Sequence, residues 1–146
     1  MSNRVEECIE LVKKAEEKER ILSVCHVLRY TPFYQKIKEM ITEGVLGEIT
    51  AIDQIENVGY WHYAHSFVRG NWRNSKESSP IILAKCCHDL DMIRWLAGDS
   101  CTKISSFGRL KHFVKENAPQ DAPSHCMDGC PLENECPYHV SKLYLT

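Results

Sequence analysis

Ile21-Leu22-Ser23-Val24-Cys25-His26-Val27-Leu28-Arg29-Tyr30-Thr31-Pro32 is the stretch on which the reading of the whole chain turns. Its first eight residues make a short, nearly continuous apolar run, the pattern of a strand buried on both faces in a parallel sheet. Parallel partners are reached only through crossover connections. Upstream there is room for one helix: Asn3 and Glu6 form a capping pair, and Val5, Cys8, Ile9, Val12 and Ala15 repeat at helical spacing to about residue 18. Residues 1–30 are therefore expected to be the last helix and strand of an α/β domain whose other strands are missing. Met1 then reads as an internal methionine or a misplaced start.

Downstream, Thr31-Pro32 supplies the cap and first residue of a second helix. Phe33, Ile37, Met40 and Ile41 form its buried stripe, Gly44 closes it, and Gly47 marks a further turn. Residues 48–58, rich in Ile, Thr and Val with imperfect alternation, predict a long strand with one packed face. Residues 101–113 predict a second strand, 114–124 a loop, and 137–146 an amphipathic helix carrying Val140, Leu143 and Tyr144. A sheet of two strands exposes its edges, so further strands are expected from beyond residue 146 or from a partner copy. The expected class is α+β: a terminal helix and strand of one domain, then the first part of an open, mainly antiparallel sheet with helices on one face. Assembly into a homo-oligomer through that sheet follows from the same argument.

Between the two predicted strands of the second domain lies residues 79–98, read as one helix with Ser79 as cap, Pro80 in the first turn and Gly98 at the exit. Residues three or four apart share a helical face, so Lys85, His88, Asp91 and Trp95 form one stripe. Imidazole titrates nearest neutrality, and a carboxylate one turn along holds its tautomer, the arrangement that general acid or base work needs. An equally available reading is a packing histidine bonded to a backbone carbonyl.

Residues 59–78 crowd aromatic, His and Arg side chains into a segment without helical or strand period. Tyr60, Trp61, His65, Arg69 and Trp72 are candidates for the wall of a pocket for a sugar-like ligand, since ring faces with polar tips suit such molecules. Anchoring of a long loop accounts for any single one of these rings as well.

A separate signal stands at residues 125–139. Cys126, Cys130, Cys136 and His139 have the thiolate and imidazole chemistry that zinc prefers, the first pair at ordinary ligand spacing. The alternatives are small apolar packing cysteines, or a reactive thiol at Cys136 where Pro137 begins a helix.

Composition narrows the classes. A formal charge of −2 over 146 residues gives no electrostatic footprint for nucleic acid or acidic lipid. No apolar run approaches the roughly 20 residues of a bilayer span, and the acidic amphipathic start is unlike a signal peptide. A cytoplasmic location is expected, with the eight cysteines as thiols or metal ligands.

Taken together, residues 1–47, Trp72, the helix around His88 and Asp91, and Trp95-Leu96-Ala97-Gly98 resemble the Gfo/Idh/MocA family of glucose-fructose oxidoreductase and inositol dehydrogenase relatives. In that family a Rossmann domain ends in a Glu-Lys-Pro turn, a helix, and a strand running into Arg-Tyr or Arg-Phe before Pro. Arg29-Tyr30-Thr31-Pro32 stands at that place here. The resemblance implies that residues 1–30 are a Rossmann remnant and residues 31–146 a partial substrate and oligomerisation domain. It also implies hydride transfer between a sugar or polyol carbinol and NAD or NADP. His88 would take or give the hydroxyl proton, Asp91 would orient it, Lys85 would polarise the oxygen, and Arg29 and Tyr30 would stand on the cofactor side. The family helix carries Asp, three residues, His, two residues, Asp; this chain has Ala84 at the first Asp and Lys85 beside it, as in a branch reading Lys-Cys-Cys-His-Asp. The seven glycines include no Gly-x-Gly-x-x-Gly, so the isolated chain is expected to be inactive. The alternatives in other classes are a non-catalytic zinc-binding module and a sheet-forming assembly module.

Overall fold

The computed structural model describes residues 2–145, so Met1 and the last residue of the expected C-terminal helix lie outside the described residues. The chain divides into two compact units. The first takes in the residues up to Glu56 together with Asn74–Thr102; the second takes in Asn57–Arg73 and the residues from Lys103 onward.

In the first unit, α1 spans Val5–Glu17, a 3₁₀ turn spans Val27–Tyr30, α2 spans Pro32–Thr42, α4 spans Ile81–Ala84 and α5 spans Cys87–Ala97. α2 begins where Pro32 fixes the first helical residue, behind an extended Thr31. Thr31 leaves the helix uncapped, because its Oγ1 donates to the Leu28 carbonyl at 2.8 Å. Gly44, at φ +73°, takes the left-handed conformation just past the helix end. Asn3 does not cap α1 either; its amide donates to the Ser78 carbonyl at 2.7 Å and ties the helix start to the approach of α4.

The single helix expected over residues 79–98 is broken. Pro80 is extended and stands before α4, Lys85 (φ −117°, ψ −54°) ends that turn still in the right-handed region, Cys86 (φ −76°, ψ 0°) leaves it, and Gly98 at φ +72° closes α5. The Cys86 N–H reaches five residues back, to the Ile81 carbonyl, so the helical register resets between α4 and α5. The core of this unit is the inner face of α5, where Met92 is 1% exposed and Leu96 stands one turn further on.

The second unit is built from α3 (Tyr60–Tyr63), a π-helical turn (Ala64–Val68), a 3₁₀ turn (Lys115–Asn117) and α6 (Val140–Tyr144). Ala64 and Ser66 are buried. The turn leaves the π segment by a close backbone approach: a Cβ at Gly70 would lie 2.3 Å from the His65 carbonyl oxygen, so only glycine fits.

The expected α+β class is corrected: among the described residues there is no strand and no sheet. A strand exists only by hydrogen bonding to another strand. Among the described residues the main-chain bonds seen outside the helices are local, reaching at most from Trp72 to Ser66. Among the described residues the runs at 21–26, 48–58 and 101–113 form no strand, and Val27 and Leu28 enter the 3₁₀ turn instead. Ile21 at 97% and Phe107 at 96% exposed show that the apolar side chains read as strand faces are not packed. Phe33, expected in the buried stripe of α2, is 67% exposed as well. Without a sheet among the described residues, the expected oligomerisation through one, and the assembly-module reading built on it, lose their basis. No described helix is long and apolar enough to cross a membrane.

Candidate functional site

The first unit gathers its polar side chains where the 3₁₀ turn meets α5. Arg29 places Nε 2.7 Å from Asp91 Oδ2 and Nη2 2.5 Å from Oδ1, a two-pronged guanidinium–carboxylate pair. Only 12% of the Asp91 side chain is exposed. The Arg29 hydrogen bonds hold the Asp91 carboxyl below the usual carboxylate range, against the opposing pull of burial, and electrostatic interaction with His26, Arg29 and His88 adds to the effect. The same hydrogen bonds raise Arg29 further above its already high value. Trp95 lies under two cations, with the Arg29 guanidinium and Lys38 Nζ each 5.8 Å from its ring centre. Lys38 Nζ also donates to the Trp95 carbonyl at 2.7 Å, satisfying a carbonyl at the end of α5.

His88 lines a cleft of about 300 Å³ with Val27, Leu28, Glu56, Lys85 and Asp89. Lys85 Nζ is 3.4 Å from Glu56 Oε1, and the Gln54 amide donates to Asp89 Oδ1 at 3.0 Å. Two walls of the cleft are therefore fixed to each other by polar ties. His88 Nδ1 is buried and lacks a hydrogen-bond partner among the described residues, as does Nδ1 of His26. Burial first, and then the neighbouring carboxylates of Asp89 and Glu56, push the Cys86 thiol up at the break before α5.

Of the three residues read as catalytic, His88 and Lys85 line this cleft, and Asp91 is bonded to Arg29. Arg29, read as a cofactor residue from the resemblance, is thus the carboxylate's partner, and Tyr30 is exposed. Three contributors were not singled out from the sequence: His26, Glu56 and Gln54. The first was absorbed into an apolar run and the other two into a predicted strand, where spacing carries no hint of a partner.

The five residues read as a pocket wall belong to the second unit. Tyr60 packs edge-on against Tyr138, with ring centres 5.8 Å apart. Trp61 stacks on His62 and is exposed. His65 Nδ1 meets the Tyr144 hydroxyl, and Trp72 packs on Phe67. Arg69 donates from Nη2 to the Tyr138 carbonyl at 2.7 Å, so its fork is spent on the backbone. A cavity of about 560 Å³ in this unit is lined by other residues, among them Phe113, Leu132, Cys136 and Tyr138.

The zinc expectation fails on His139. This ring is 2% exposed, its Nε2 donates to the Cys126 carbonyl at 2.9 Å, and its Nδ1 accepts from the Ser141 hydroxyl at 2.7 Å and the Ser141 N–H at 3.3 Å. Both nitrogens are occupied, which leaves no lone pair for a metal. Among the described residues no three metal-ligating side chains converge.

Comparison with known proteins bears on the whole arrangement. Residues 38–141 match the profile described as "Oxidoreductase family, C-terminal alpha/beta domain". The chain is 29% identical over 143 residues to "Putative oxidoreductase YteT" of Bacillus subtilis (strain 168), covering 94% of this chain and 31% of that protein. It is 26% identical over 103 residues to 2,7-anhydro-N-acetylneuraminate hydratase of Escherichia coli (strain K12), covering 70% of this chain and 27% of that one. With inositol 2-dehydrogenase/D-chiro-inositol 3-dehydrogenase of Lactiplantibacillus plantarum it shares 28% identity over 108 residues, 74% of this chain and 28% of the relative. The chain thus spans less than a third of the length of these curated relatives. No solved structure gives a significant match.

Proposed function

Because the chain belongs to the Gfo/Idh/MocA oxidoreductase family, we propose that it supplies the substrate-side residues of an NAD(P)-dependent oxidoreductase acting on a sugar or polyol carbinol. Residues from about 31 onward form the substrate domain in this reading, and those before it belong to the dinucleotide side; the family profile begins at residue 38. Family members generally bind NAD(P) in an N-terminal domain, where the nicotinamide supplies hydride chemistry. The described residues do not themselves fit the dinucleotide's phosphates. Such a cradle is a glycine-rich turn at a helix N-terminus, whereas Gly44 and Gly98 sit just past the ends of α2 and α5.

The observation that carries the reading is His88: a partly exposed imidazole on a cleft shared with Lys85, Glu56 and Asp89, with one ring nitrogen buried and unpartnered. A buried polar nitrogen without a partner is costly and is rarely kept without a purpose. As a carbinol carbon loses hydride, its hydroxyl proton needs an acceptor, and the His88 ring is the imidazole available on the cleft. Lys85 Nζ, held by Glu56, brings positive charge to the developing carbonyl oxygen. Asp91, already ionic through Arg29, supplies a fixed negative charge that favours the imidazolium His88 becomes. The aromatic segment around Tyr60, Trp61, His65, Arg69 and Trp72 remains a proposed source of further sugar contacts. A reducing, cytoplasmic setting belongs to the same proposal, with the eight cysteines as free thiols.

Titration of the chain with a cyclic polyol such as inositol, followed by NMR at the histidine rings, tests the reading. The expected result is a saturable shift of the His88 ring signals that disappears in His88→Gln. In any preparation that oxidises a polyol, His88→Gln is expected to lower kcat about 10²- to 10⁴-fold. Full turnover by that variant would overturn the assignment.

A further inference from the structure

His26 lies beside both members of the proposed site, and nothing in the proposed chemistry uses it. Its Nε2 is 3.9 Å from Asp91 Oδ1, the oxygen that also receives Arg29 Nη2. Its ring meets the His88 ring almost at right angles, with centroids 5.9 Å apart and planes at 86°. The side chain is 30% exposed, yet Nδ1 is fully covered, as is Nδ1 of His88. The groups facing this pair come from each neighbouring element: Arg29 from the 3₁₀ turn, Asp91 and Asp89 from α5, and Lys85 and Glu56 from the opposite side of the cleft. Among these, the Asp91 carboxylate feels both imidazoles.

We propose that His26 is a positioning residue for His88. It is anchored at one end by the Arg29–Asp91 pair, and its ring edge fixes the plane in which His88 presents itself to the cleft. The inference rests on the reading of His88 as the proton acceptor.

The geometry explains a mismatch that the sequence alone creates. Asp91 stands three residues after His88, where a carboxylate is expected to bond and orient the imidazole directly. Arg29 has taken both of its oxygens instead. An aromatic ring can be oriented without a hydrogen bond, by an edge-to-face partner that is itself held. His26 is such a partner: its Nε2 end stands 3.9 Å from Asp91 Oδ1, and the chain enters the 3₁₀ turn immediately after it. A ring held in this way need not spend a nitrogen on its own orientation.

Two substitutions separate positioning from packing. His26→Gln places an amide donor near the former Nε2 and can still address Asp91; His26→Leu fills similar space without a donor. In the chain itself, His26→Leu is expected to shift and broaden the His88 ring signals, and His26→Gln is expected to return them close to the parent spectrum. In a preparation that oxidises a polyol, the Leu variant is expected to lose about 10- to 100-fold in kcat with KM within twofold, and the Gln variant to recover most of it. Unchanged His88 ring signals in a folded Leu variant would overturn the proposal. Equal loss in Gln and Leu that follows a fall in unfolding midpoint would overturn it too, since only packing would then be at stake. The ring spectrum judges the positioning whether or not turnover is seen, and retained turnover in His88→Gln would remove the catalytic reading while leaving that result standing.

Discussion

Where the first unit joins remote segments with charge, the second joins them with rings. Arg29 reaches Asp91 across 62 residues, Lys38 reaches the end of α5, and Lys85 meets Glu56. In the second unit Tyr63 stacks on Phe113 at 5.7 Å and 13°, and Phe113 meets Tyr138 edge-on at 5.0 Å. Tyr138 in turn packs on Tyr60 and His112. The difference bears on function. A charged network can reset the ionisation of its members, as Asp91 shows, whereas a ring stack mainly supplies shape and apolar area. Chemistry is therefore expected from the first unit, and a surface for contact from the second.

The contrast is broken first by removing what each unit buries. Met92→Ala empties the best-covered position of α5 and is expected to cost about 2–5 kcal/mol. Tyr138→Leu removes a ring with three aromatic neighbours and is expected to cost about 1–3 kcal/mol. Amide hydrogen exchange reports each unit separately. Loss of protection in α5 with Met92→Ala, and around α6 with Tyr138→Leu, would show that each unit carries its own stability. Equal loss in both units from either change would erase the distinction.

How much of the molecule is legible in its sequence differs in the same way. Local punctuation is readable: Thr31-Pro32 and Gly44 bracket α2, and Gly98 closes α5. The separation of His88 from Asp91 places both on one helix, since a three-residue step needs no knowledge of the rest of the chain. The partner of Asp91 is hidden, because periodicity places a residue on a face and says nothing of what arrives there from 62 residues away. The expected strands are absent for a related reason. Alternation in residues 48–58 does leave Ile52 and Gln54 more covered than their neighbours, but a strand also needs a second chain segment to bond, which no pattern within it specifies. The π turn at Ala64–Val68 hides the order in residues 59–78 because its spacing is neither 3.6 nor 2. A zinc site is not supported at His139, whose spacing suits a ligand but whose ring is already engaged by the backbone of Cys126.

Acid sharpens the contrast more gently. The Asp91 carboxyl titrates lower in the folded chain than in the unfolded one, so its contribution to stability is fully present above about pH 4 and is lost as pH falls through the depressed folded value. The first unit is therefore expected to lose exchange protection in α5 on acidification below about pH 4, and Asp91→Asn to remove that component of the pH dependence. The stack of Tyr63, Phe113 and Tyr138 contains no carboxylate, so its protection is expected to change less over the same range. An α5 whose acid response is identical in the parent and in Asp91→Asn would show that the Arg29 pair is not felt in the folding of this unit.

The finest probe is Cys86. Its thiol is raised first by burial and then by the nearby carboxylates of Asp89 and Glu56, with Lys85 opposing. Alkylation proceeds through the thiolate, so at pH 8 Cys86 is expected to react about three- to tenfold more slowly than the exposed Cys25. Asp89→Asn should narrow that gap, since it removes a negative charge and leaves the coverage of the sulfur largely unchanged. Peptide mapping after timed alkylation reads both rates. If the Asn variant reacts no faster than the parent, burial alone governs the thiol, and the carboxylates beside His88 exert no field at the helix break. If it does react faster, the field that reaches Cys86 also reaches the imidazole two residues further on, and the cleft is electrostatically coupled in the way the ring stack of the second unit is not.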